Sequence, residues 1–151
     1  MIKACPTTSV RRGLKDFLIM LYGDLTKRII GCAIEVHKTL GNGFQEVIYQ
    51  RALEIAMGQT GLEFSRELEM PVFYREHQIG TRRVDFFLEY RIMVEIKAII
   101  KLEDVHIAQA MNYLEAYKME IGLLINFGSK SLEFKRVHNN KLLKSGHPEI
   151  S

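Results

Sequence analysis

Residues 84–97 read VDFFLEYRIMVEIK, and this stretch predicts a β-hairpin that carries charges inside its strands. Two runs of β-branched and aromatic residues flank Glu89-Tyr90-Arg91, as expected for two strands around a short turn. Asp85, Glu95 and Lys97 interrupt these runs, where charges are rare unless something pairs them. Two carboxylates beside a lysine suit metal-dependent phosphodiester hydrolysis, because the acids hold a cation while the lysine holds the attacking water or balances charge.

The register of this hairpin follows from counting. Position 90 lies midway between 85 and 95, so a loop with an odd number of residues centred on Tyr90 would place Asp85 opposite Glu95. Directly opposed residues have Cβ atoms about 5 Å apart, close enough for both carboxylates to reach one cation. A two-residue turn would pair Asp85 with a neighbour of Glu95 and separate the two acids. The turn triplet contains no Gly or Asn, so the register is inferred from the charged residues themselves.

A plainer interpretation of the same residues is an ordinary hairpin with a solvated face. Asp85 and Lys97 would then form a cross-strand ion pair, with Glu95 partnered by Arg83 or Arg91. The spacing of the two acids and the lysine carries little information when taken alone, and the apolar residues around it are what favour a buried site.

Bulk properties exclude several other classes of protein. The chain has 151 residues and a formal charge of +3, which fits one globular domain and permits contact with an anionic polymer without requiring it. Cys5 and Cys32 form no CxxC pattern and the five histidines have no zinc-ligand spacing, so a structural zinc site is not expected. The apolar run at residues 17–22 is too short to span a bilayer. We expect a reduced, soluble, cytoplasmic protein with no membrane partner.

Periodicity along the chain predicts two helices, three strands, a helix and two strands, an α/β arrangement around one mixed sheet. Gly41-Asn42-Gly43 predicts the end of the first helix, and Pro71 predicts an edge strand or a bulge. The expected domain covers residues 24–140, after a leader of uncertain order at residues 1–23 and before a polar tail at residues 141–151. Its predicted elements are helix 24–40, helix 45–57, strand 62–74, strand 78–88, strand 91–100, helix 103–117, strand 121–127 and strand 132–137.

Other polar residues have weaker signals. Glu46 lies in the first turn of a predicted helix, where it would stabilise the helix dipole or supply a third carboxylate to the acid pair. Gln109 and Tyr113 share one face of a later helix, and on spacing alone an ordinary solvated face is the preferred interpretation. The basic doublet Arg82-Arg83 could contact a nucleic-acid backbone or simply lie in solvent.

Taken together, these residues resemble the GxxExxY protein family, a branch of the PD-(D/E)xK nuclease-like superfamily. The name motif is present as Gly43, Glu46 and Tyr49. The similarity covers roughly residues 24–137, and its further matching segments are 34–41, 84–86, 95–97, 109–114 and 122–128.

The resemblance implies a restriction-endonuclease-like α-β-β-β-α-β core with helices flanking a mixed central sheet. It implies Mg²⁺ or Mn²⁺ held by Asp85, Glu95 and the main-chain carbonyl of Ile96, with Lys97 as the catalytic lysine. Glu46 would match an acidic residue on the first core helix, and the remaining catalytic positions would be Gln109 and Tyr113 on the helix after the Glu-x-Lys strand.

The expected function is therefore a divalent-metal-dependent nuclease that acts on DNA rather than RNA, and we also expect a homodimer. The superfamily includes members that bind nucleic acid or partners without cleaving, so a non-catalytic nuclease-fold module is the alternative. An enzyme acting on a small molecule ranks last, because the sequence contains no cofactor motif.

Overall fold

A computed structural model describes residues 8–145 of the chain, with side chains described from Tyr22 to Leu142. The predicted order of two helices, three strands, one helix and two strands is confirmed, and a short helix follows. The elements are α1 (Thr8–Leu40), α2 (Glu46–Gln59), β1 (Phe64–Tyr74), β2 (His77–Leu88), β3 (Ile92–Lys97), α3 (Asp104–Ala116), β4 (Ile121–Asn126), β5 (Glu133–His138) and α4 (Asn140–Ser145).

The five strands form one mixed sheet in the order β1-β2-β3-β4-β5. All neighbouring pairs are antiparallel except β3 and β4, which are parallel because α3 crosses over between them. Every residue of β4 is buried, as expected for a strand covered on both faces. The predicted α/β class with a mixed sheet is thus confirmed.

Helices cover both faces of the sheet and make two apolar cores. The larger core lies beneath α1 and α2, and it includes Ile29, Tyr49, Leu53 and Phe127. The smaller core lies beneath α3, where Ala110 and Leu114 pack against Met93 and Val137. Burial of these side chains on two sides fixes the sheet between the helix layers.

The register of the β2–β3 hairpin is the predicted one. Phe86 pairs with Val94 and Leu88 with Ile92, so the hairpin is centred on residue 90. In the turn, Glu89 has φ 50° and Tyr90 has φ 56°, a left-handed backbone conformation that residues other than Gly seldom adopt. The sequence could not reveal this turn, because its two left-handed residues are neither Gly nor Asn.

Side chains of β1 and β2 change face at the level of Asp85. On β2, Phe86 packs in the larger core while Val84 packs in the smaller one, although alternation would place them on the same face. The residue of β1 at this level, Glu67, has φ 54°. The recorded pairing of β2 with β3 ends at Phe86–Val94, whereas β2 stays paired with β1 along its length. Asp85 therefore lies where β2 leaves β3.

The predicted strand 91–100 ends earlier, at Lys97, and three other predicted boundaries are wrong. Helix α1 begins at Thr8 rather than Asp24, and it includes most of the expected leader; residues 1–7 lie outside the described part. Gly13 and Gly23 in this helix each cost about 1 kcal/mol relative to Ala, which hid it from a periodicity argument. The β1–β2 turn is formed by Arg75 and Glu76, not Glu76 and His77, with both residues left-handed.

The third difference is at the carboxyl end, where helix α4 replaces the beginning of the expected polar tail. The remainder of that tail, residues 146–151, is outside the described residues. No helix in the described part of the chain is long and apolar enough to cross a bilayer.

Candidate active site at the β2–β3 junction

Asp85 fills the gap that opens between β2 and β3. Its Oδ2 accepts a hydrogen bond of 2.8 Å from the backbone N–H of Ile96, which β2 no longer pairs. Its Oδ1 accepts a hydrogen bond of 3.2 Å from Gln50 Nε2 on α2. Burial raises the pKa of Asp85, although the bond from Ile96 and the charges of Lys97 and Arg82 oppose the rise. The side chain is thus held at the junction of the strands and α2.

Glu95 is the most buried acid of the site, with 5% of its surface exposed. Its Oε1 is buried and has no hydrogen-bond partner among the described residues, and its Oε2 lies 3.8 Å from Arg82 Nη2. Burial raises the pKa of Glu95 to about 8, and the negative charge of Asp85 adds to the rise. When no cation is bound, burial and mutual repulsion therefore favour a proton on the pair formed by Glu95 and Asp85.

Lys97 and Glu46 interact electrostatically with Glu95. Lys97, half-buried at the end of β3, lowers the pKa of Asp85, Glu95 and Glu46. Glu46 is exposed in the first turn of α2, and its pKa is raised by partial desolvation beside the site and further by the charge of Asp85. The structure thus places Lys97 and Glu46 where they interact electrostatically with Asp85 and Glu95, and the roles of these four residues stay predictions.

The Gly-x-x-Glu-x-x-Tyr segment owes its shape to Tyr49. The buried Tyr49 hydroxyl donates to the carbonyl of Gly41 at 2.6 Å and accepts the N–H groups of Gly43 at 2.9 Å and Phe44 at 3.1 Å. Its ring stacks on Phe127 with 4.7 Å between centroids. Tyr49 therefore fixes the loop that begins α2, and with it the position of Glu46.

Ile96 and Tyr113 also lie at the site. In a strand, the backbone N–H and C=O of one residue point to the same side. The N–H of Ile96 meets Asp85, so the carbonyl of Ile96 faces the same side of β3. The Tyr113 ring on α3 lies beneath the Arg82 guanidinium, with Cζ 4.3 Å from the ring centre. Gln109 is exposed and makes no side-chain hydrogen bond within the described residues, so the structure does not join it to the acids and its role stays a prediction.

Two site residues were missed by the sequence argument. Gln50 lies four residues after Glu46 and so shares its helix face, a signal that could have indicated it. Arg82 was considered only as half of a basic doublet. Its contact with Tyr113 joins residues 31 positions apart, and no local pattern predicts such a pairing.

The segment after Lys97 is held by a buried amide. Asn126 Oδ1 accepts the N–H groups of Ile99 and Gly128, each at 3.0 Å, and its Nδ2 donates to the Ile99 carbonyl at 2.9 Å. A Cβ at Gly128 would lie 2.3 Å from the Ile99 carbonyl oxygen, so only glycine fits. These contacts fix the chain immediately beyond β3.

Within the described residues no three His, Cys, Asp or Glu side chains are grouped closely enough to hold a metal by themselves. The available ligands at the junction are two carboxylates and one main-chain carbonyl. Such a set suits Mg²⁺, which keeps several waters and takes substrate phosphate oxygens rather than a complete protein cage.

Comparison with known proteins gives one family and one fold. A family model described as the PD-(D/E)XK nuclease superfamily matches residues 23–137. A solved structure titled "Crystal structure of SSO0001" is similar with a TM-score of 0.50 and 17% identity, over 66% of this chain and 55% of that chain. This similarity concerns the fold alone, and it extends over little more than half of that chain. The search of curated proteins found no match.

Proposed function

This chain belongs to the PD-(D/E)XK nuclease superfamily, and from this premise we propose that it is a divalent-metal-dependent nuclease that hydrolyses phosphodiester bonds in DNA rather than RNA. The observation that carries the proposal is the acid pair at the β2–β3 junction. Glu95 has a buried oxygen that finds no hydrogen-bond partner among the described residues, and it lies beside a half-buried carboxyl group, Asp85. A buried polar atom left unpaired is costly, and a bound cation would satisfy it.

The residues at the junction fit Mg²⁺ or Mn²⁺. Asp85, Glu95 and the carbonyl of Ile96 would hold it, all three being oxygen ligands of the kind that these hard cations prefer. When bound, the cation lowers the pKa of a coordinated water and neutralises phosphate charge.

Lys97 and Glu46 would complete the reaction centre. Lys97 follows Glu95 on the same face of β3, so its ammonium group would hold the attacking water or balance charge that develops on the phosphate. Glu46 approaches from α2 and would orient that water or help to hold a second cation. Gln50 would keep Asp85 in position through its 3.2 Å hydrogen bond.

Gln109 and Tyr113 would act from α3. Tyr113 reaches the site through the guanidinium stacked on its ring, whereas exposed Gln109 would meet the substrate from the solvent side. Within the superfamily we assign the chain to the GxxExxY branch, and the support is the loop from Gly41 to Tyr49, whose hydrogen bonds explain the motif tyrosine.

The deciding experiment is cleavage of plasmid DNA by wild type and Asp85→Ala in the presence of Mg²⁺ or Mn²⁺. We expect cleavage by the wild type and none above background by the variant, with an unchanged circular-dichroism spectrum. Glu69→Gln is the matched control, because Glu69 is an exposed acid whose partner is Arg83. Cleavage by Asp85→Ala at the wild-type rate would contradict the assignment.

The alternative, a nuclease-fold module that binds without cleaving, is separated by calorimetry. Mn²⁺ is titrated into wild type and Glu95→Ala, first alone and then with a DNA duplex present. Mn²⁺ binding that is lost in the variant, together with DNA cleavage, supports the nuclease. DNA binding with neither Mn²⁺ binding nor cleavage supports the module instead.

The expected homodimer remains a prediction. Beyond the point where β2 leaves β3, the β1–β2 hairpin carries three exposed apolar side chains near its tip, Phe73, Tyr74 and Ile79. Pro71 removes a backbone donor from the outer edge of β1, which disfavours strand pairing there. We therefore expect the homodimer to form through the tip of the β1–β2 hairpin. A monomer in light scattering at high protein concentration would contradict the dimer.

A further inference from the structure

Arg82 lies between the acid pair and α3. It belongs to the part of β2 that has left β3, and it pairs with Met70 of β1. Its guanidinium lies over the Tyr113 ring, with Cζ 4.3 Å from the ring centre, and 37% of its side chain is exposed. A cation–π contact of this kind takes none of the N–H groups of the guanidinium as a hydrogen-bond donor, so these donors are left for other partners.

Those donors are incompletely used. Arg82 Nη2 is 3.8 Å from Glu95 Oε2, which is longer than a hydrogen bond. Its Nε is buried and has no hydrogen-bond partner in the described part of the chain. A guanidinium has five N–H donors in a planar fork, and this geometry matches the oxygens of a phosphate. The Tyr113 ring holds the side chain in place, and N–H donors of the guanidinium remain for a ligand.

Its neighbour in sequence has a different environment. Arg83 is 60% exposed, and its Nη2 forms a 3.2 Å ion pair with Glu69. The alternation of side chains along β2 places it on the opposite face of the hairpin from Arg82. The two arginines of the doublet carry the same charge, and only Arg82 contacts the site.

We propose that Arg82 binds a non-bridging oxygen of the scissile phosphate beside Asp85 and Glu95, and that the Tyr113 ring holds the guanidinium edge toward that oxygen. The inference rests on the proposed nuclease function. A substrate phosphate bound at the acid pair would lie close to the Glu95 carboxylate, and Arg82 Nη2 is 3.8 Å from Oε2 of the same group. The ligand in this position must be anionic, because both the cation and the guanidinium face it.

The test compares Arg82→Gln with Arg83→Gln, which remove the same charge from adjacent positions. Hydrolysis is measured at saturating Mn²⁺ on a DNA duplex and on bis(p-nitrophenyl) phosphate, which has a single phosphodiester group. We expect Arg82→Gln to lower kcat by about 100-fold on both substrates, the loss typical of removing one donor to transition-state charge. Arg83→Gln should stay within about threefold of wild type, as for an exposed charge.

Metal affinity distinguishes a contact with phosphate from an indirect effect on Glu95. Removing a positive charge beside Glu95 favours cation binding, so calorimetry should give Mn²⁺ affinity for Arg82→Gln at least equal to that of wild type. A lower kcat at saturating Mn²⁺ would then be due to the lost contact with the phosphate. Arg82→Lys keeps the charge without the planar fork, and Tyr113→Leu removes the supporting ring, so both should lose part of the rate with their melting temperatures retained.

The outcomes separate this inference from the function on which it rests. Equal effects of Arg82→Gln and Arg83→Gln, or a loss on DNA without a loss on bis(p-nitrophenyl) phosphate, would overturn the assignment of Arg82 and leave the nuclease intact. Failure of the wild type to hydrolyse either substrate would overturn the proposed function and this contact together. Loss of Mn²⁺ binding in Arg82→Gln would overturn the phosphate contact in favour of a role in shaping Glu95.

Discussion

At the scale of single residues, we expect Glu95 to couple the proposed metal binding to pH. Its pKa of about 8 means that a cation must displace a proton at neutral pH. We expect the apparent affinity for Mn²⁺ to rise by about tenfold per pH unit between pH 6 and 8 and to level off above pH 8. Calorimetry at pH 7 in buffers of different ionisation enthalpy should show release of about one proton per cation. An affinity that does not change over this range would contradict the protonated state of Glu95.

A second residue-scale prediction concerns Gly128. A Cβ at this position would meet backbone atoms, the Ile99 oxygen at 2.3 Å and the Ile99 nitrogen at 2.4 Å, and neither can rotate away. Gly128→Ala should lower the free energy of unfolding by roughly 3 kcal/mol and reduce activity, because the displaced segment follows Lys97. The measurement is urea denaturation. The control is Gly80→Ala, which has open space around its Cβ and should change stability by less than about 0.5 kcal/mol.

At the scale of elements, the junction of α1 and α2 depends on one hydroxyl group. Tyr49→Phe removes the donor to Gly41 and the acceptor for Gly43 and Phe44, and it keeps the ring that stacks on Phe127. Leaving these buried groups unpaired should cost about 1–3 kcal/mol of unfolding free energy. Because the same loop positions Glu46, activity should fall as well.

The matched variant for this prediction is Tyr90→Phe, which changes a tyrosine that is 82% exposed. It should leave the urea midpoint and the activity unchanged. Equal losses in Tyr49→Phe and Tyr90→Phe would show that the Tyr49 hydroxyl does not organise the start of α2. The comparison separates the hydroxyl from the aromatic ring, since both variants keep the ring.

The elements also show where sequence reasoning succeeds. The hairpin register was predictable because Asp85 and Glu95 lie equally far from residue 90, so they face each other only if the turn is centred there. The turn itself was not, because Glu89 and Tyr90 adopt left-handed angles without Gly. The change of face at Glu67 breaks the alternation from which strand faces are inferred, and so the contact of Arg82 with α3 could not be foreseen.

At the scale of the whole molecule, burial of the acid pair opposes folding at high pH. The folded-state pKa of Glu95, about 8, lies above its usual value of 4.5, so between these limits the folded protein binds a proton that the unfolded chain has lost. Stability from this group is therefore fully present below about pH 4.5 and is lost as the pH rises to about 8. The groups acting on Glu95 are Asp85 and Glu46, which raise its pKa, and Arg82 and Lys97, which lower it.

Glu95→Gln should remove this dependence, because the amide has the shape of the protonated acid and cannot ionise. Without metal at pH 9, the variant should exceed the wild type by roughly 3 kcal/mol of unfolding free energy, whereas at pH 5 the two should be similar. Thermal melts of both proteins at the two pH values measure the difference, which corresponds to roughly 5–10 °C. The exposed acid in Glu69→Gln is the control and should follow the wild type.

Mn²⁺ should narrow the difference in stability between the two proteins. At pH 8, cation at about 100 times its dissociation constant adds about 2.7 kcal/mol to the stability of any folded protein that binds it. The wild type has the carboxylate for this and Glu95→Gln does not, so the wild-type melting temperature should rise on adding Mn²⁺ while that of the variant stays constant. A rise of equal size in both proteins would place the cation away from Glu95. A metal site is expected to lose stability when its two acids are ionised without a cation and to regain it when the cation binds. A structural ion pair already contains the opposite charge, so its stability would not depend on added metal.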